Sequence, residues 1–191
     1  MRVLVVDEFE ERAEILRDGL RQAGYEVAAS LSSPVTLLET VESAKPDVIV
    51  IDTASPSREV LEHLAIVTQR IPRPIVMFAN DGAPATIRKA VRAGVSSYVV
   101  DGLDPARLGT IVEVAVARFE NFQALRGQLA DANLRLAERK LVDRAKGLLM
   151  KGRSLDEQTA YAMLRKMAMD RKLKLAEVAQ RVIDAADLLG A

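Results

Sequence analysis

The sequence predicts an α/β fold continued by an all-α segment: a doubly wound sheet of five parallel strands, a long connecting helix and a C-terminal three-helix bundle. Two observations carry that prediction. Short runs rich in Val and Ile alternate with helical patterns through the first hundred residues, and strong helix formers then continue without a proline from residue 106 onwards. A third observation bears on function. The net charge is zero, yet residues 1–103 hold 11 basic and 15 acidic side chains, and residues 104–191 hold 16 and 12.

Apolar runs at 3–6, 25–29, 48–51, 75–78 and 97–100 have the length and β-branched content of buried parallel strands. Helical patterns at 8–23, 34–43, 57–70 and 84–93 separate them, and a fifth helix starts at Pro105. Ser33-Pro34 and Asp104-Pro105 each pair a capping side chain with a proline at the first helical position; Gly24 and Gly94 stand where a left-handed residue closes a helix. Sheets wound this way gather ligands at the carboxyl ends of their strands. Those ends carry Asp7 and Glu8, Asp52, Ala79 with Asn80, and Asp101, a cluster of carboxylates. Glu8 has a second reading as a partner of the following helix dipole, and Asp101 as a cap of the next turn. His63 has no partner motif and is assigned to packing or the surface.

Over residues 1–103 these features resemble the receiver domain of two-component response regulators, a flavodoxin-like fold. The resemblance rests on Asp7-Glu8, on Asp52 after Val50-Ile51, and on Tyr98-Val99-Val100-Asp101. It implies that Asp7, Glu8 and Asp52 stand where the family binds Mg²⁺, with Asp52 at the phospho-acceptor position. Two positions depart from the family: Ala79 replaces the usual Thr or Ser, and Asp101-Gly102 replaces Lys-Pro. A methyl group cannot hydrogen-bond a phosphoryl oxygen, and Asp101 exchanges a cation for an anion. Four carboxylates without a nearby cation should repel and raise some of their own pKa values unless a divalent ion joins them. A dianionic phosphoryl group is less welcome still. The expectation is a pseudo-receiver that requires no cofactor, has an acidic pocket able to take Mg²⁺ weakly, and runs no phosphorelay.

Residues 104–137 read as a helical connector. Within it Phe122, Leu125, Leu129, Ala132 and Leu136 follow alternating steps of three and four, the spacing of a coiled-coil seam. The stripe covers only about two heptads, fewer than a coiled coil needs to be recognised from sequence. Parallel homodimerisation through Phe122, Leu125, Leu129 and Leu136 is the preferred expectation, with packing against the chain's own helices as the other.

In residues 138–191 three helices fit the pattern. Projection at 100° per residue puts Leu141, Val142, Ala145, Leu148 and Leu149 in one arc, leaving Arg139, Lys140, Arg144, Lys146, Met150 and Lys151 on the other, with Gly147 among them. Glycine inside a helix costs about 1 kcal/mol relative to alanine, so Gly147 asks for a reason, and close approach of a ligand backbone is one. A turn at Gly152 and a capping box of Ser154 with Glu157 start the second helix. There Tyr161, Leu164, Arg165 and Ala168 share a face, on which Tyr161 and Arg165 offer stacking planes for unpaired bases. The same spacing also suits Tyr161 and Leu164 as core. The third helix repeats Leu175, Val178, Val182, Ala186 and Leu189 on one face. Residues 139–174 hold 11 basic against 4 acidic side chains, an excess that attracts polyanions or forms a solvated face.

The set Arg139-Lys140, Ala145-Lys146-Gly147, Glu157, Ala160-Tyr161, Leu164-Arg165, Ala168 and Leu175-Ala176-Glu177-Val178 resembles the ANTAR domain of bacterial transcription antitermination regulators. With the receiver-like part, nearly the whole chain resembles the amidase-operon and nitrate-assimilation (NasT-type) regulators. The resemblance implies an RNA-binding antiterminator that grips paired hairpins in a nascent leader mRNA during transcription elongation, so that an overlapping terminator cannot form. Arg139, Lys140, Arg144, Lys146, Gly147, Lys151, Tyr161 and Arg165 are the candidate RNA contacts. It further implies nitrogen-assimilation targets and control by dimerisation or a ligand-sensing protein partner. The alternative is a phosphorylation-dependent two-component response regulator that uses Asp52 and has a DNA- or protein-binding output. No nucleophile–base pair accompanies the acidic cleft, so an enzyme is not expected. The absence of cysteine excludes disulfides and thiolate metal sites, and no leader or membrane segment is evident, so a cytoplasmic protein is expected.

Overall fold

Successive side chains of a strand point to opposite faces, so a strand covered on both sides reads as an unbroken apolar run. The structure is a computed structural model that describes residues 1–100 and 102–189, apart from the side chains of Arg153 and Leu189. Asp101, one of the two atypical positions, lies outside the described residues. Strands β1 (Arg2–Asp7), β2 (Glu26–Leu31), β3 (Val48–Thr53), β4 (Ile75–Ala79) and β5 (Ser97–Val100) form one parallel sheet in the order β2-β1-β3-β4-β5. Helices α1 (Glu10–Gln22), α2 (Leu37–Ala44), α3 (Arg58–Arg70) and α4 (Pro84–Arg92) connect them, followed by α5 (Pro105–Arg153), α6 (Glu157–Arg171) and α7 (Leu175–Leu189). Two compact units result, Met1–Gln123 and Ala124–Ala191, and the division falls inside α5.

In the first unit, Val3, Val5, Val48, Val50, Val76 and Phe78 pack with Leu16, Leu20, Leu108 and Val112 of α1 and α5. The alternate positions Leu4, Val6, Ile49, Ile51, Ile75 and Met77 pack with α2, α3 and α4 on the other face. Chain order reverses direction between β1 and β3, which opens a cleft at their carboxyl ends. Five parallel strands are present as expected, but only β1, β3 and β4 are fully enclosed; β2 and β5 are the edges and stay half-buried. At Gly94 φ is +102° and a Cβ would run into the Thr68 side chain, so glycine is required there twice over.

Three local boundaries differ from the sequence reading. Helix α1 starts at Glu10 rather than residue 8, because the Asp7 carboxylate accepts the Phe9 N–H at 2.9 Å and holds the intervening turn. A 3-10 turn at Pro34–Thr36, capped by Ser33, precedes α2. Helix α5 continues through Gly152 to Arg153, and Ser154 takes the left-handed conformation at φ +54°. Ser154 therefore cannot supply the extended backbone of a helix N-cap. Asp156 caps α6 instead, accepting the Thr159 N–H at 2.7 Å, and the expected Ser154/Glu157 capping box does not form.

In the second unit Ala145, Leu164, Ala168, Val178, Ala179 and Ile183 make the core, with Leu141, Val142, Leu148 and Leu149 packed against it. Of the five residues projected onto the inner arc of α5, Ala145 is fully buried and the other four are half-buried against this core. On α7 the centre of the buried stripe is Val178, Ala179 and Ile183, with Val182 half-buried beside them. No helix among the described residues is long and apolar enough to cross a membrane.

Candidate functional site

Parallel pairing of β1 with β3 sets Asp7 directly opposite Asp52 at the carboxyl ends of both strands. Asp7 is 2% exposed and Asp52 9%, while Glu8 lies outside on the surface. Ala79 ends β4 opposite Thr53, buried, with a methyl group as its only side chain.

The expectation of carboxylates without a cation is overturned. Arg12, five residues beyond Asp7 on the first turn of α1, places its guanidinium 3.2 Å from Asp7 Oδ1 and 3.8 Å from Asp52 Oδ2, and lies over the Phe9 ring at 4.7 Å. The first contact is a hydrogen bond; the second is an ionic contact too long for one. Asp7 Oδ2 is buried and makes no hydrogen bond among the described residues. Burial pushes the Asp52 carboxyl above its ordinary pKa, Arg12 opposes the rise, and the neighbouring Asp7 adds to it. Repulsion between the acids therefore survives as a minor cause, and desolvation is the major one.

In this arrangement Arg12 occupies the side of the acidic pair from which a cation would approach. No group of three metal-binding side chains comes together among the described residues, Glu8 lies on the surface outside the pair, and a guanidinium faces Asp7 and Asp52.

The candidate RNA contacts of the second unit divide into two groups. Helical projection puts Lys146 on the exposed arc, but only 15% of its side chain is accessible. Its ammonium donates to Asp143 Oδ1 one turn back on α5 at 2.8 Å and to Glu157 Oε1, the first residue of α6, at 2.7 Å. These hydrogen bonds raise the Lys146 pKa, and the bond from Lys146 lowers that of Asp143. Elsewhere on α5, Arg144 reaches Asp187 of α7 at 3.2 Å, and Arg139 makes a loose 3.9 Å contact with Asp143. The other group is open. Lys140, Lys151 and Arg165 are exposed and carry no ion-pair partner among the described residues.

Helix α6 resolves the two readings of its face. Leu164 and Ala168 are core, whereas Tyr161 is 44% exposed and Arg165 stands in solvent. Glu157, Tyr161, Arg165 and Met169 follow one another at steps of four and form one ridge, beginning at the residue Lys146 holds. Met169, 70% exposed, extends this ridge, and sequence reasoning misses it. Its signal is the same four-residue step that joins Tyr161 to Arg165. Gly147 follows Lys146 on α5, and a Cβ placed there would meet nothing within 4 Å. On the connector Phe122, Leu125, Leu129 and Leu136 are all more than half exposed. His63 is half-buried, with Nδ1 2.9 Å from the Glu59 carbonyl oxygen.

Comparison with known proteins agrees with both halves of this description. Residues 3–113 match the response regulator receiver domain and residues 130–183 the ANTAR domain. The chain is 31% identical over 183 residues to the transcriptional regulatory protein PdtaR of Mycobacterium tuberculosis, covering 96% of this chain and 89% of that protein. Over 61 residues it is 43% identical to the nitrate regulatory protein of Klebsiella oxytoca, covering 32% of this chain and 15% of that one. The response regulator domain of Thermotoga maritima CheB superposes with a TM-score of 0.51 at 23% identity, over 63% of this chain and 96% of that one, a likeness of fold.

Proposed function

The chain belongs to the response regulators that join a receiver domain to an ANTAR domain, and from that premise we propose that it is an RNA-binding antiterminator acting on paired hairpins of a nascent leader mRNA. One observation carries the reading: on α6 the aromatic Tyr161 and the guanidinium of Arg165 are held in solvent above a core of Leu164 and Ala168. An exposed aromatic on a rigid helix gives an unstacked loop base a plane to stack on, and Arg165 gives a second. Lys140 and Lys151 supply phosphate attraction. Gly147 leaves room for a backbone to approach α5 closely.

Dimerisation through Phe122, Leu125, Leu129 and Leu136 would present two such edges to two hairpins, making the second contact intramolecular. The exposure of all four supports this seam. A monomer at every concentration in sedimentation would remove it. Control then falls to dimer exchange or a ligand-sensing protein partner, because Ala79 lacks a hydroxyl and Arg12 already faces the acidic pair. Nitrogen-assimilation genes are the proposed targets, on the likeness to the nitrate regulatory protein.

Titration against leader hairpins, matching duplex DNA and scrambled RNA at several salt concentrations tests the function. Preferential, salt-dependent binding of the hairpins is expected; equal affinity for all three would overturn specific RNA recognition. The opposition of Asp7 and Asp52 at the strand ends favours a second reading, phosphorylation of Asp52. Stoichiometric acylphosphate after incubation with a small phosphodonor and Mg²⁺ would establish it.

A further inference from the structure

We propose that Lys146 is a positioning residue: it sets the Tyr161–Arg165 ridge of α6 for RNA and does not itself contact the RNA, a role that rests on the RNA-binding reading above. Its ammonium has three donors, and two of them are spent on Asp143 and Glu157 at 2.8 and 2.7 Å. One cation between two carboxylates leaves a local excess of one negative charge. A phosphate approaching Lys146 finds one donor left and two carboxylates that repel it, while Lys140, Lys151 and Arg165 meet it with no acidic partner among the described residues. The accessible surface agrees, since 15% of the Lys146 side chain is exposed against 53% and 71% for its two partners. The charge least available to a ligand is the one at the helix joint.

What the clamp fixes is rotation. Glu157 opens the ridge on which Tyr161 and Arg165 sit one and two turns later. A roll of α6 by about 20° would carry a side chain at a radius of roughly 6 Å through about 2 Å, enough to misplace a stacking ring. The core contacts of Leu164 and Ala168 resist such a roll from beneath, where small Ala168 gives little leverage. The Lys146–Glu157 pair resists it from the side.

Three variants of the full chain separate positioning from direct contact: Glu157→Ala, Lys146→Met and the exchange Lys146→Glu with Glu157→Lys. The exchange keeps one cation facing two carboxylates, because the lysine moved to α6 would meet the glutamate moved to α5 as well as Asp143. Hairpin affinity is measured at several salt concentrations, and hydrogen exchange is followed at the first turn of α6. Positioning predicts that Glu157→Ala and Lys146→Met each weaken binding about tenfold with an unchanged salt slope, and that the exchange variant recovers most of the affinity. Amide protection in α6 should fall and recover in parallel. A direct contact predicts the reverse on each count: Glu157→Ala frees Lys146 and keeps or improves affinity, Lys146→Met lowers the salt slope by about one, and the exchange variant stays weak. Any of those three results overturns the proposal, as does unchanged α6 protection in Glu157→Ala. A wild-type chain that ignores every hairpin ends the RNA reading itself, and is told apart because the variants are then never the cause.

Discussion

Each unit of this chain holds one cation between two carboxylates, and the two arrangements behave in opposite ways. At the strand ends, Arg12 faces Asp7 and Asp52 in a pocket where both acids are buried, and the Asp52 carboxyl is pushed up. At the α5–α6 joint, Lys146 faces Asp143 and Glu157, both open to water, and Asp143 is pulled down. Charge count is the same in both. Burial decides the sign, because desolvation of Asp52 exceeds what a cation at 3.8 Å returns, whereas hydrated Asp143 gains a hydrogen bond at little cost.

The largest effect of breaking the comparison should come from Arg12→Met. It strips the cation from Asp7, whose side chain is fully enclosed, and leaves a buried carboxylate with the Phe9 N–H as its remaining partner. Removing one partner of a fully buried pair costs roughly 3–5 kcal/mol. Arg12 is itself one-third exposed, so a loss of roughly 2 kcal/mol is expected in denaturant unfolding. A variant as stable as the wild type would show that Arg12 contributes no net stabilisation at the acidic pair.

The difference between the two centres also explains what was legible in the sequence. Asp7 and Asp52 could be placed because apolar runs mark strands, and strand ends in a doubly wound sheet meet at a known edge. Arg12 could not, because its reach depends on where α1 begins, and that start is fixed by the Asp7 side chain bonding Phe9. The inner arc of α5 was readable from its period. The partner of Lys146 was not: Ser154 and Glu157 match the spacing of a capping box, but Asp156 and Thr159 match an N-cap as well. The left-handed Ser154 decides between them, and nothing in the sequence prescribes that conformation for a serine. Once Asp156 caps the helix, Glu157 is free to turn toward Lys146.

A smaller effect should come from Gly147→Ala, beside the open centre. In the receiver unit Gly19 is explained by packing, since a Cβ there would stand 3.3 Å from Leu108 and Pro105. Gly147 has no such neighbour, and its own fold would be served better by alanine. The variant should therefore be more stable by about 1 kcal/mol, yet bind leader hairpins more weakly because the added methyl holds the RNA backbone away. Stability and affinity moving together upward would remove Gly147 from the interface.

The smallest effects, and the sharpest for the comparison, are those of pH. Asp52 binds its proton more tightly in the folded chain than in the unfolded one, since its pKa is raised by burial. Between the ordinary and the raised value the folded state carries more protons, so the contribution of Asp52 to stability falls as pH rises through that window. At neutral pH its ionised form is a net cost, and Asp52→Asn should raise Tm, with the gain shrinking as the solution is acidified through the window. Asp143 has the opposite sign. Its pKa is lowered chiefly by the Lys146 hydrogen bond, so its contribution is complete above the ordinary carboxylate value and is lost as pH falls through the depressed one. Asp143→Asn should lower Tm at neutral pH and approach the wild type in acid. Paired melts of the two variants from pH 7 downwards therefore start on opposite sides of the wild type and converge on it. If both start on the same side, burial is not what separates the two centres.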